Sequence, residues 1–166
     1  MVPVPLKRLR SLGAAVGVAA ALAALSAGCR AWSNGTPSAV EAERWARAWV
    51  GACNSRSSDQ IAGLLADGGE YWSSLTGNPI SAERLPAHIR TFWRLLPRAR
   101  IEQRALHRGP GIIVLEWQAW PDSEKREESW KGVTILELHG GRVRRAKTFY
   151  NPGVLLPYFY AQGNRP

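Results

Sequence analysis

The stretch GVTILELHGGRVRRAKTFYNP, Gly132 to Pro152, carries the strongest structural signal in the chain. Two runs, GVTILELH and RVRRAKTFY, flank Gly140-Gly141, the residue pair that a tight hairpin turn takes most easily. These strands hold few groups able to do chemistry, which weighs on any catalytic reading. Upstream, ARIEQRALH and GIIVLEWQAW flank RGPG, which is turn chemistry, and PDSEKREE reads as a charged loop before SWKGVTILELH. NPGVLLPYFY follows the hairpin. Together these segments predict a long antiparallel meander.

The meander is preceded by helical punctuation. Ser38 with Glu41 forms a capping box, and Glu41, Trp45, Ala48, Trp49 and Ala52 keep helical spacing, which puts both tryptophans on one face. Ser57 with Gln60 is a second capping box, opening a short helix DQIAGLLA that is expected to end at Asp67-Gly68-Gly69. EYWSSLTG reads as a strand closed by Gly77-Asn78-Pro79. A third helix starts near Pro86, with Ile89, Phe92, Trp93 and Leu96 as its apolar stripe, Arg90 and Arg94 opposite, and Pro97 as its stop. Helices followed by a meander predict an α+β domain with the helices on one face of the sheet.

The 166 residues leave room for one domain with a real core. Residues 1–28 read as a signal peptide: Lys7, Arg8 and Arg10, then the apolar SLGAAVGVAAALAALSAG. LSAGC, Leu25 to Cys29, resembles a bacterial lipobox, in which the cysteine becomes a lipidated N-terminus. Ser26 departs from that pattern where Leu, Val or Ile is usual, whereas Ala27 and Gly28 fit. Residues 29–37 form the attachment point and linker, and 38–166 the domain. The expected location is therefore exported and lipid-anchored at a cell membrane, with a simply secreted chain or a single N-terminal anchor as alternatives. Cys53 is the other cysteine. It is a lone thiol, read as a buried small hydrophobe on an apolar helix face, if Cys29 is lipidated; if Cys29 is not, a Cys29–Cys53 disulfide is open in an oxidising compartment.

The net charge is +9; setting aside Lys7, Arg8 and Arg10 leaves 19 basic against 13 acidic residues. Six arginines fall between Arg90 and Arg108, and Arg142, Arg144, Arg145 and Lys147 form a second group. No nucleic-acid-binding module matches this spacing, so nucleic acid is not an expected partner. For a tethered domain the anionic membrane surface is the nearer one.

The ordered set LLADGGEYW, NPISAERLPAHIRTFWRLL, GVTILELHGGRV and TFYNP resembles the SnoaL-like branch of the nuclear transport factor 2-like superfamily, over roughly Ser38 to Leu156. The resemblance implies a cone: three N-terminal helices on a strongly curved antiparallel sheet, with an apolar pocket inside. Relatives include isomerases, cyclases, dehydratases and hydrolases as well as proteins that only bind, so the fold does not choose the function.

Proton-transfer enzymes of this branch use carboxylates whose pKa an apolar pocket raises. Matched by hand, the general base of ketosteroid isomerase falls at about Trp72 and its protonated acid at about Thr134, and neither is a carboxylate here. The Asp common after the last strand is Asn151. Asp59, Asp67 and Asp122 lie at caps or turns. Glu116, mid-strand, is the one weak catalytic candidate; both faces of its strand are apolar, so alternation does not orient it. His88, His107 and His139 lack metal-site spacing, and no metal or cofactor is expected. The resemblance places Thr134, Ala146, Thr148 and Tyr150 in the pocket, joined by Trp45, Trp49, Trp72 and Trp93. The expected ligand is a small apolar or amphipathic molecule, bound without catalysis. The alternatives are an isomerase, cyclase or hydrolase using Glu116 with Tyr150 as hydrogen-bond donor, or an interaction domain that forms a homodimer through outward Val133 and Ile135.

Overall fold

The computed structural model describes residues 35–124 and 128–163. The expected signal sequence and Cys29 lie outside the described residues, and with them the Cys29–Cys53 question. Along the chain run α1 (Ala39–Ser55), α2 (Ser58–Leu64), β1 (Leu65–Ser73), β2 (Ile80–Ser81), α3 (Leu85–Leu95), β3 (Arg100–Gly109), β4 (Ile112–Trp120), β5 (Trp130–His139) and β6 (Arg142–Tyr150). A 3-10 turn (Pro152–Leu155) and α4 (Leu156–Gly163) follow. No helix among the described residues is long and apolar enough to cross a membrane.

Both capping serines act as the sequence predicts. Ser38 Oγ accepts from the Glu41 amide at 3.1 Å, and Ser57 Oγ from the Gln60 amide at 3.2 Å. Each satisfies a donor that the first helical turn leaves without a partner. Pro86 sits in the first turn of α3, where its missing N–H costs nothing.

The six strands form one sheet in the order β2-β1-β6-β5-β4-β3. β3 to β6 make the antiparallel meander, and Gly140 and Gly141 take φ of 58° and 73° at the β5–β6 turn, where a side chain would be strained. β1 joins β6 in parallel, so the sheet is mixed rather than wholly antiparallel.

The expected end of α2 at Asp67-Gly68-Gly69 is not where the helix stops. It ends at Leu64, and Leu65, 2 % exposed, already pairs with Val143 of β6. Pairing resumes at Glu70 with Arg145, leaving four residues of β1 opposite one of β6. Arg144 fills the irregularity, its Nη1 donating to the carbonyls of Asp67 at 3.2 Å and Gly68 at 2.8 Å. Buried Leu65 and this guanidinium outweigh the helical tendency of DQIAGLLA.

The helices cover one face of the sheet. On β4 that face carries Ile113, Leu115, Trp117 and Ala119, all buried, while Ile112, Val114, Glu116 and Gln118 point the other way. Ala42, Ala46, Trp49 and Ala52 are the buried residues of α1, which runs against β3. Each fully buried Ile or Leu of this core, such as Ile61, Leu115 and Leu136, contributes about 1.5–3 kcal/mol.

Candidate ligand-binding cavity

Where α1 and α3 meet the sheet, small and hydroxyl-bearing side chains stop short of filling the space. A cavity of about 110 Å³ remains. Its helix side is Trp49 and Cys53 of α1, Ile61 of α2, and His88, Phe92 and Trp93 of α3. Its sheet side is Tyr71 and Ser73 of β1, Ile101 of β3, Trp117 and Ala119 of β4, Trp130 and Thr134 of β5, and Thr148 and Tyr150 of β6. These positions share a face by strand alternation: Tyr71 pairs with Ala146, Ser73 with Thr148, and Thr134 with Thr148.

Aromatic rings set the shape. Trp49 stacks on Tyr71 with centroids 6.2 Å apart, Tyr71 meets His88 at 6.4 Å, and Trp117 meets Tyr150 at 6.0 Å. Trp117 lies across β5 only because its partner there is Gly132. A Cβ at that position would come within 2.6 Å of the Phe149 carbonyl oxygen and closer still to Trp117 Cζ2.

Under the rings lies a buried hydroxyl chain. Trp117 Nε1 donates to Thr134 Oγ1 at 3.0 Å, and Thr134 Oγ1 lies 3.2 Å from Thr148 Oγ1. Asn54 is occupied structurally: its side-chain amide donates to the Ile101 carbonyl and accepts from the Ile101 amide, both at 2.9 Å. It fixes the start of β3 at the cavity rim.

Burial governs the charge states. It pushes the Tyr71 hydroxyl up to about 12, against smaller downward pulls from the Thr148 and Ser73 hydroxyls. Tyr150 is raised in the same direction, again by burial first, and the Cys53 thiol is pushed up to about 12. His88 is lowered by burial. At neutral pH the phenols and thiol are therefore protonated and the imidazole neutral. No Asp or Glu is among the described residues lining the cavity. The arrangement can hold a small, flat, mostly apolar body, donate hydrogen bonds from phenol hydroxyls and accept one at the imidazole.

Of the residues expected in the pocket, Trp49, Trp93, Thr134, Thr148 and Tyr150 line this cavity. Trp45 does not; it packs against the core beside them, with its indole N–H buried and unpaired among the described residues. Ala146 faces inward but is closed over within the core. Trp72 points to the outer face, where its ring lies 5.0 Å from Phe149. Tyr71 and Ser73, its neighbours on either side, take the inward places because the irregularity at residues 66–69 sets the phase of β1.

Glu116, the weak catalytic candidate, is also on the outer face. Its Oε1 is 2.8 Å from His107 Nε2, and about half of its side chain is exposed. It pairs with Val133, opposite in facing to Trp117, so it and Tyr150 cannot meet one substrate. The aspartates serve local structure: Asp59 is in the first turn of α2, the Asp67 carbonyl receives Arg144, and Asp122 pairs with Arg98 and accepts from the Glu124 amide. Asn151 Oδ1 accepts from the Gly153 amide at 2.9 Å, capping the 3-10 turn outside the cavity. No cluster of three or more His, Cys, Asp or Glu among the described residues could hold a metal.

Among the cavity residues that sequence reasoning misses as pocket groups are the ring-bearing Tyr71, His88, Phe92, Trp117 and Trp130. Helical spacing could have found His88, four residues before Phe92 on the stripe that also carries Ile89. Gly132 opposite Trp117 was a signal of close backbone approach.

Comparison with known proteins agrees with this architecture. The SnoaL-like domain family matches residues 46–146, well over half of the chain. Among solved structures, a SnoaL-like protein of unknown function from Burkholderia thailandensis superposes with a TM-score of 0.59 at 20% identity, covering 69% of this chain and 97% of that one. An NTF2-like protein of unknown function from Cytophaga hutchinsonii gives 0.53 at 9% identity, covering 69% and 94%. A protein with a ketosteroid isomerase-like fold from Catenulispora acidiphila, in complex with trimethylamine, gives 0.59 at 14% identity, covering 69% and 90%. No match to the chain is found among curated proteins.

Proposed function

The chain belongs to the SnoaL-like family of the nuclear transport factor 2-like superfamily, and from that premise we propose that it binds a small apolar or amphipathic molecule without transforming it. The observation that carries this reading is a cavity walled by tryptophan and tyrosine whose phenol, thiol and imidazole groups are neutral and whose lining holds no carboxylate, with Arg100 at its border. At about 110 Å³ it is in the size class of the ~150 Å³ apolar cavity that takes up benzene, well below pockets for drug-sized ligands. The Catenulispora protein, seen with trimethylamine, gives a precedent for a small guest in a related fold. We place the protein outside the cell membrane, tethered through lipidated Cys29. Native mass spectrometry of the full chain after contact with a lysate of its source cells tests the binding claim. A reproducible extra mass of small-molecule size supports it, and an unliganded chain under every condition counts against it.

The outer face of the sheet favours a second copy of the chain as partner. Trp72, Phe149, Val133, Ile135 and Val114 form an apolar band across four strands, with Phe149 40% exposed. Arg145 with Glu70 and Glu137 borders it, whereas Lys147, ion-paired with Glu137, stands between Trp72 and Ile135, and Glu116 lies opposite Val133. A sheet-to-sheet homodimer would cover this band. Sedimentation equilibrium of wild type against Val133→Glu checks it: a dimer reduced to monomer is expected, and a wild-type monomer at high concentration refutes it.

A further inference from the structure

Arg98, Arg104 and Arg145 each stand within ion-pair distance of a carboxylate. Arg108, Arg142 and Arg144 are held differently. Their guanidiniums donate to main-chain carbonyls: Arg108 Nη1 to Pro37 at 2.8 Å, Arg142 Nη2 to Leu65 at 3.0 Å, and Arg144 Nη1 to Asp67 and Gly68. No carboxylate among the described residues forms an ion pair with any of the three, and all three are exposed. The carbonyls hold one edge of each planar fork and leave its other N–H groups for a ligand.

The three stand at one end of the sheet. Arg108 precedes the β3–β4 turn and Arg142 follows the β5–β6 turn. Gly111 ties these turns together, its carbonyl accepting from the Leu138 amide at 2.7 Å, and its own amide donates to the Gly35 carbonyl at 3.3 Å. The chain therefore enters the domain at this same end. Here too α1 begins, with Val40 78 % exposed on its first turn. Of the nearby carboxylates, Glu137 is taken up by Arg145 and Lys147 and Glu43 accepts from Gln103, while Asp67 and Glu41 oppose the three guanidiniums without pairing with them.

Six residue steps separate Gly35 from Cys29, about 20 Å at full extension. We propose that this end of the domain docks on an anionic lipid surface, with Arg108, Arg142 and Arg144 engaging headgroup phosphates and Val40 entering the apolar boundary beneath them. The inference rests on the tether through Cys29 proposed above. Arginine suits the task because its fork takes a phosphate through two N–H bonds at once.

The test is flotation of the full, unlipidated chain with vesicles of phosphatidylcholine alone and of phosphatidylcholine with phosphatidylglycerol. Lys7, Arg8, Arg10 and the apolar residues after them are common to every variant, so each variant is read against the wild type. Arg108→Gln and Arg142→Gln are each expected to lower affinity for the anionic vesicles roughly fivefold. Val40→Asp, a change that suits the first turn of a helix, is expected to lower it as well. Arg98→Gln removes a cation that is paired with Asp122 and Glu124 before the far end of β3, beyond screening distance, and should change affinity by less than about twofold. Arginine variants that bind anionic vesicles as the wild type does, or an Arg98→Gln loss as large as that of Arg108→Gln, overturn the docking surface and leave the tether standing. Tighter binding of duplex DNA than of anionic vesicles at equal phosphate overturns the choice of lipid. Absence of acyl label on Cys29 in the source cells overturns the tether and the orientation with it. Where an arginine variant unfolds, Val40→Asp decides: weakened binding supports the proposal, and unchanged binding refutes it.

Discussion

Adding one methyl group at Gly132 probes the packing that shapes the cavity. The new Cβ would fall within 2.6 Å of the Phe149 carbonyl oxygen and would overlap the six-membered ring of Trp117 at Cζ2 and Cη2. Neither neighbour can yield cheaply. The carbonyl belongs to β6, and the indole is 4 % exposed and tied to Thr134 through its N–H at 3.0 Å. Overpacking of this kind costs about 1–3 kcal/mol, and a strained or broken indole hydrogen bond adds about 1 kcal/mol. Gly132→Ala should therefore destabilise the fold by roughly 2–4 kcal/mol, read from urea unfolding with m unchanged. The ring can escape only toward the cavity, so near-UV circular dichroism should change and affinity for any guest should fall. Trp117→Phe removes the clashing atoms, and in that background the alanine should cost far less, a coupling that a double-mutant cycle isolates. A Gly132→Ala protein within about 0.5 kcal/mol of wild type, with an unaltered tryptophan spectrum, would refute this account of the packing.

Thr134→Val keeps the volume but leaves the Trp117 N–H without its acceptor, and should cost about 1–3 kcal/mol in urea unfolding. In the unfolded chain His88 takes up a proton near pH 6.5, whereas in the fold burial holds its value lower. Stability should be complete above pH 6.5 and decline as pH falls through the window below it, a slope that His88→Gln should reduce. Tyr71 gives the opposite trend at the alkaline end. The unfolded phenol ionises at 10.0 and the folded one at about 12, so stability falls across that range by up to about 2–3 kcal/mol, and Tyr71→Phe should abolish that part of the loss. Glu116→Gln should leave stability within about 0.5 kcal/mol and guest affinity unchanged, because the side chain is half exposed on the far face of the sheet.

Much of the fold is readable in short-range signals. The serine caps, the Gly140-Gly141 turn and the proline in the first turn of α3 act through neighbours a few residues away, and local spacing reveals them. What spacing misses depends on partners distant along the chain. The phase of β1 is set by Arg144 reaching the Asp67 and Gly68 carbonyls, so hand matching put Trp72 inward where Tyr71 and Ser73 belong. β4 is apolar on both faces, and only pairing with Gly132 and Thr134 of β5 shows that Trp117 faces in and Glu116 out. The cavity was legible as a set of aromatics and hydroxyls, but its outline needed the sheet register.

The most direct test of ligand binding is thermal unfolding of the full chain with and without a large excess of toluene, in wild type and in Ala119→Leu. Ala119 is 4 % exposed and lines the cavity, so leucine there fills space a guest would occupy. A guest at about 100 times its Kd stabilises the folded state by about 2.7 kcal/mol, so the wild-type midpoint should rise by several degrees and the Ala119→Leu midpoint should not. No rise in the wild type, or an equal rise in both proteins, would contradict the claim that this cavity is the binding site.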